Sequence, residues 1–285
     1  MHQTRLVLSP HVRGLLALIT VTLLWGTTFP MGKIAYKTLT PALLTFGRFA
    51  LSAAFMVYQW RGMTRVEFGY GAVLGALQFA CIAAVYQGLL TIPANRSSFL
   101  VSIASILVPI AGFFLGRKIA PRVWFAALCA TVGIGLLMDP GLGLTAGDWW
   151  TIFSALVFAI YIFVMERARK LPSSARLTAV QTLAMAVGGG VWLLLQGDFN
   201  GSGFERIFAV WPAMLYLSLS AIATTMLQGW GQRVVSAQEA AIVFTLEPVF
   251  ATIFAWAWIG ERLSGWAAVG AMLVLAANLV AQWRR

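Results

Sequence analysis

QEAAIVFTLEPVFATIFAWAWIGERL, residues 238–263, decides how this chain is read. From Ala240 to Gly260 it holds one ionisable residue, Glu247, and one helix breaker, Pro248. Crossing the hydrocarbon of a bilayer takes about 20 mostly apolar residues. The run has that length and ends at Gly260–Glu261–Arg262. The same pattern recurs along the chain. Apolar runs separated by short polar connections predict ten transmembrane helices, at 14–34, 40–60, 69–91, 97–116, 121–138, 147–166, 176–196, 209–232, 238–259 and 264–283. The expected fold is therefore an all-α integral membrane protein.

Composition supports this reading and excludes others. Of 285 residues, 60% are hydrophobic and 10% charged, and the mean hydropathy is +0.83. A soluble domain carries about 25% charged residues, because its outer layer must face water. The net charge of +11 would suggest nucleic acid in a soluble protein. Here the basic residues sit between apolar runs, so they speak to orientation, and no nucleic-acid partner is expected. Cys81 and Cys129 lie inside apolar runs, with no spacing for a disulfide framework or a metal site. No metal or cofactor is expected.

With the N-terminus inside, fourteen basic residues fall on the inner side: Arg5, Arg13, Arg61, Arg65, Arg117, Lys118, Arg122, Arg167, Arg169, Lys170, Arg176, Arg233, Arg284 and Arg285. Five fall outside: Lys33, Lys37, Arg96, Arg206 and Arg262. An excess of Lys and Arg marks the cytoplasmic loops, so both termini are expected in the cytoplasm, in a cell inner (plasma) membrane. Trp60, Trp124, Trp149, Trp150, Trp211, Trp266 and Trp283 fall near predicted helix ends, where indole rings suit the headgroup region. The first run follows Arg5 and Arg13 as a signal peptide would, but it continues as WGTTFPMGK without a small-residue cleavage site; it is read as a retained helix.

An internal repeat is expected. LLWGTTFPMGKIA in the first run resembles LVFAIYIFVMERA in the sixth, and LGRKIAPRVW after the fourth resembles IGERLSGWAA after the ninth, with Gly116 opposite Gly260. Residues 1–138 and 139–285 would each hold five helices. An odd number makes the second half enter from the opposite side, giving two inverted repeats around a central cavity.

Trp25–Gly26, the run Leu246–Glu247–Pro248–Val249–Phe250–Ala251 and the segment Gly260–Glu261–Arg262–Leu263 together resemble the drug/metabolite transporter superfamily in its EamA-type ten-helix branch. The likeness spans essentially the whole chain. The first half departs from the pattern: Arg117–Lys118 stand where the family often has Glu–Arg, and the fourth run has no Glu–Pro pair. A role for the acidic residue therefore rests on the second half. The resemblance implies export of metabolites or amino acids from the cytoplasm, aromatic and other neutral amino acids foremost. It also implies runs 1–4 and 6–9 around a cavity, with runs 5 and 10 peripheral and available for a homodimer.

Candidate residues follow from cost. An ionisable group at mid-membrane costs about 2.5–3.5 kcal/mol on insertion scales. Glu247 is thus read either as a substrate-amine or proton site, or as a partner for backbone freed by Pro248. Arg48, deep in run 2, suits a substrate carboxylate held by two bonds, or a helix carbonyl, or a snorkelled position. Trp25, Tyr86 and Tyr161 are candidate walls of an aromatic-tolerant pocket. Gln87 and Gln228 are candidate polar contacts among five intramembrane glutamines, with interhelical bonding as the alternative. Pro30, Pro109 and Pro248 each remove a helical hydrogen bond and are candidate hinges. Gly71/Gly75 and Gly112/Gly116 have the spacing of close helix approach.

The expected function is a secondary or facilitative exporter working by alternating access. There is no GxxxxGK[ST] run for ATP. An intramembrane enzyme is disfavoured, since His2 and His11 are the only histidines and no HExxH or GxSxG occurs. A channel is the remaining alternative class; rings of repeated charge are not visible.

Overall fold

A computed structural model describes residues 9–137, 144–197, 202–261 and 265–282. Every regular element among them is helical: α1 Pro10–Ala35, α2 Pro41–Phe55, α3 Arg65–Gly88, α4 Ala94–Val101, α5 Ala104–Phe114, α6 Pro121–Leu137, α7 Ala146–Arg167, α8 Ser174–Leu195, α9 Ser202–Ala209, α10 Trp211–Gly231, α11 Ala237–Phe244, α12 Glu247–Ile259 and α13 Gly265–Gln282. Helices start where the sequence supplies a cap. Ser9 Oγ accepts from Val12 N, and Pro10 leads α1. Thr64 with Glu67, Thr145 with Asp148 and Ser236 with Glu239 form capping boxes at α3, α7 and α11, each satisfying otherwise orphaned N–H groups. Gly260 ends α12 at φ +69°, and Gly116 follows α5 at φ +74°, a region open to glycine without strain.

Six segments are long and apolar enough to cross a membrane: 10–35, 65–88, 94–114, 146–170, 174–195 and 237–259, with Pro41–Phe55 a shorter apolar helix. Three differences from the sequence reading stand out. The expected fourth and ninth helices are each broken, at Ser102–Ile103 and at Thr245–Leu246. At both breaks a hydroxyl bonds back to its own helix, Ser102 Oγ to Ser98 O (3.1 Å) and Thr245 Oγ1 to Ile242 O (2.6 Å). Such bonds compete with the helical ladder, and Pro109 and Pro248 follow within the next helices. The expected second helix stops at Phe55, leaving a 3₁₀ turn at Val57–Trp60. The connection before α10 contains the short helix α9. Arg5, His2, Arg262, Leu263, Trp283, Arg284, Arg285 and the 138/139 boundary lie outside the described residues.

Glycine sets the closest helix pairs. A Cβ on Gly26 of α1 would stand 2.6 Å from Phe250 Cβ and 2.8 Å from Ala251 N of α12. At Gly71 and Gly75 it would meet Val180 Cβ at 2.5 Å and Ala184 Cβ at 2.6 Å on α8. Gly112 likewise approaches Gln238, but Gly116 has open space around it, so its value lies in the positive φ. The helices α6 and α13 pack mainly on one another through a separate small core that includes Ala126, Ala130 and Ala277. That leaves them beside the main cluster, as the resemblance implied for runs 5 and 10.

Arg96, expected in a loop, is buried. Its Nε and Nη2 donate to the two carboxylate oxygens of Asp148 at 2.7 and 3.0 Å, tying α4 to α7. Two cross-chain caps sit at opposite ends of the bundle. Glu166 at the end of α7 accepts from Ala237 N at the start of α11 (3.1 Å) and pairs with Arg117 (2.5 Å). Glu261 after α12 accepts from Ala94 N (3.1 Å) and Asn95 N (3.3 Å) at the start of α4. Each places a carboxylate against the positive end of a helix.

Candidate functional site

Between α1, α2, α3, α4, α7, α10 and α12 lies a cavity of about 80 Å³. At about 30 Å³ per water in the liquid it has room for roughly three waters. Its lining repeats at helical spacing: Trp25, Thr28 and Phe29 on α1; Gln78, Cys81, Ile82 and Val85 on α3; Ala221, Thr224 and Thr225 on α10. Positions i, i+3, i+4 and i+7 share one helix face, so each helix offers one stripe to the space.

Arg48 reaches this cavity from α2 and is 3% exposed. Its Nε donates to Leu217 O (3.0 Å) and Nη1 to Tyr86 Oη (2.7 Å), while the guanidinium lies 5.0 Å from the Phe49 ring centre. A guanidinium carries five N–H donors. Among the described residues, the other three meet no acceptor. The backbone beneath is fixed as well: Arg48 O accepts from Ser52 Oγ (2.8 Å) and Ser218 Oγ (2.9 Å), stapling α2 to α10. Tyr86 is held in turn, because Tyr36 Oη donates to its carbonyl (3.0 Å).

Glu247 comes from the first turn of α12, directly after the break, and is 6% exposed. Its carboxylate makes no hydrogen bond or ion pair with any described residue. Gln78 Oε1 is also buried without a partner. The cavity thus carries a cationic fork, a carboxyl group and an amide with unused bonding capacity. Trp25 and Phe158 add an aromatic wall, in edge-to-face contact at 5.5 Å, with Phe244 behind Trp25 at 5.2 Å.

Four of the expected site residues, Trp25, Arg48, Tyr86 and Glu247, meet at this cavity. Three do not. Gln87, one residue past Tyr86, is turned about 100° around the helix and lines a groove with Trp150 and Trp192 instead. Tyr161 and Gln228 lie one turn beyond the cavity. Tyr161 Oη donates to Gln181 Oε1 (3.1 Å) and Gln228 Oε1 (3.4 Å), Gln228 Nε2 to Gln232 Oε1 (3.1 Å), and Gln232 Nε2 to Ile162 O (3.2 Å). That chain bonds α7, α8 and α10 together beyond the cavity wall. Of the expected hinges, Pro248 stands at a break and Pro109 one to two turns past one. Pro30 sits inside the unbroken α1. Sequence reasoning passed over Thr28, Cys81, Ser154, Thr224 and Thr225, whose small polar side chains look like packing until the helix faces are assembled; Cys81 Sγ donates to Ser154 O at 3.6 Å.

Comparison with known proteins agrees with this architecture. The EamA-like transporter family matches residues 12–138 and again 145–281, and the chain belongs to that family. An uncharacterized transporter of Archaeoglobus fulgidus is 28% identical over 271 residues, covering 94% of this chain and 85% of that one. A protein of Streptantibioticus cattleyicolor named "probable terminal-alkyne amino-acid exporter" is 26% identical over 275 residues, 91% of this chain and 90% of the other. A solved crystal structure superposes with a TM-score of 0.74 at 18% identity, over 94% of this chain and 96% of its own. The protein is a multi-pass membrane transporter of small metabolites, not an enzyme.

Proposed function

We propose that the protein exports neutral amino acids, aromatic ones among them, from the cytoplasm by alternating access. The carrying observation is the pairing of Arg48, with three unused N–H donors, and Glu247, with an unpartnered carboxylate, on the walls of one buried cavity. A zwitterion offers a carboxylate for the first and an ammonium for the second, and removes the cost of two uncompensated charges. The name of the Streptantibioticus relative points the same way. In the conformation seen, the cavity suits a small side chain; a ring needs one end opened further.

The transporter is read as ten spanning helices in two inverted halves, 1–138 and 139–285. The twofold match to one family supports this, as do the broken helices in corresponding positions and the left-handed Gly116 and Gly260 at corresponding ends. Basic residues gathered near the Glu166–Arg117 end support an inner-membrane protein with both termini cytoplasmic. The pairing of α6 with α13 leaves Phe125, Leu128 and Met272 outward, a surface for lipid or for a homodimer. Export of cationic drugs or other metabolites is the second reading, favoured by the lone carboxylate of Glu247.

Uptake of radiolabelled amino acids into proteoliposomes is the test, run with a small neutral, an aromatic and a charged one, with and without a pH gradient. Saturable uptake of the neutral pair is expected, with the charged one excluded. Glu247→Gln is expected to abolish that uptake while leaving yield and melting unchanged. No uptake of any amino acid would remove the substrate assignment.

A further inference from the structure

Behind the main cavity lies a second, smaller space of about 10 Å³, whose wall includes Val101, Ser105, Phe158, Ile162, Phe244 and Glu247. That volume holds one water-sized particle. It sits between the two broken helices, and what faces it is unusual for so apolar a setting. Ser105 is 2% exposed and its Oγ has no hydrogen-bond partner among the described residues. Glu247, 6% exposed, forms part of this wall as well as that of the larger cavity, and its carboxylate is equally unpartnered.

The prolines add backbone oxygens. A proline has no N–H to give to the carbonyl four residues earlier. For Pro109 that carbonyl belongs to Ser105, and for Pro248 to Phe244. Both residues line the small space. The residues around one void therefore bring a carboxylate, an orphaned hydroxyl and two carbonyls without their α-helical partner into one neighbourhood.

We propose that this void is a binding site for one sodium ion. Every polar side-chain atom among the residues around the void is an oxygen, and oxygen donors suit a hard cation. Discontinuous helices use unwound carbonyls in this way where a coupling ion is held at mid-membrane. The charge follows from the count of acids: Glu247 is the one carboxylate in the wall, so a monovalent ion cancels it, while a divalent ion would leave a net charge buried in an apolar layer. Size follows from the volume, which admits a bare ion smaller than water. Because Glu247 faces both spaces, sodium and a substrate ammonium compete for one carboxylate. The site stands whichever substrate occupies the main cavity.

Binding of ²²Na⁺ to the purified full-length protein in detergent, without substrate, tests this directly. Saturable binding of one ion per chain is expected, displaced by cold sodium and not by choline. Ser105→Ala and Glu247→Gln are each expected to weaken it about tenfold or more, the scale on which a site's supporting groups act. Ser220→Ala is the matched control: its hydroxyl is also buried without a partner, but outside the void, and its sodium binding should equal that of the parent. No saturable binding, or binding that survives both variants, overturns the proposal and leaves the space to water or a proton. Sodium binding without amino-acid uptake would fault the substrate reading alone; uptake without sodium binding would fault this site alone.

Discussion

Arg48 and Tyr161 are both buried polar side chains reaching across helices, and they are predicted to behave differently when changed. Arg48 has donors to spare and a wall position; Tyr161 has spent its hydroxyl on Gln181 and Gln228. Lysine at position 48 keeps the charge but loses the planar fork and its stacking on Phe49, so the change is not conservative. Arg48→Lys is expected to raise the KM for amino-acid uptake about tenfold or more, with fold and yield retained. Tyr161→Phe removes one intramembrane donor, shared between two acceptors, and such bonds are worth roughly 0.6 kcal/mol on average. It is expected to lower the melting temperature slightly and leave KM within about twofold of the parent. Equal effects of the two changes on KM would mean that the polar bridge, not the cavity wall, selects the substrate.

At the scale of helices, close approach decides more than hydrophobic matching, since lipid is as apolar as the core. The α1–α12 contact is the clearest case. Gly26 admits the backbone of Phe250–Ala251, and α12 carries Glu247 into the cavity. Gly26→Ala forces contacts of 2.6 Å with Phe250 Cβ and 2.8 Å with Ala251 N, and the main chain there cannot swing aside. Overpacking of this kind costs about 1–3 kcal/mol. The expected result is a lower melting temperature and reduced transport together, whereas Gly116→Ala, with free space but positive φ, should cost about 1–2 kcal/mol with a smaller transport effect. Thermal melts and uptake on both variants check this. The end caps belong to the same scale: Glu166 and Glu261 each close one end of the bundle by holding a half-helix N-terminus.

For the molecule as a whole, the testable quantity is orientation. Single cysteines introduced at Leu171 and Leu144, in a background lacking Cys81 and Cys129, are expected to label from the cytoplasmic and the outer side respectively. The reverse pattern would invert the direction of every step of export. Neither position contributes to the cavity, so transport should survive the labelling background unless Cys81, a cavity residue, matters to it.

The sequence alone determined the environment and its class. A chain that is 60% hydrophobic and 10% charged cannot hide its long apolar runs from water; that follows from transfer energies and needs no coordinates. It also marked Trp25, Arg48, Tyr86 and Glu247, because charge and large aromatics inside an apolar layer are costly or conspicuous wherever they point. Only tertiary structure decided which of them meet. Helix rotation sends Gln87 to an outer groove one residue after Tyr86 faces in, and Gln228 to a bridge one turn after Thr224 lines the cavity; periodicity gives a residue's face but not the neighbour that face will find. The breaks in α4–α5 and α11–α12 were equally hidden. A proline permits a break, but whether the chain takes it depends on the partners that receive the freed groups, and those come from helices far away in sequence.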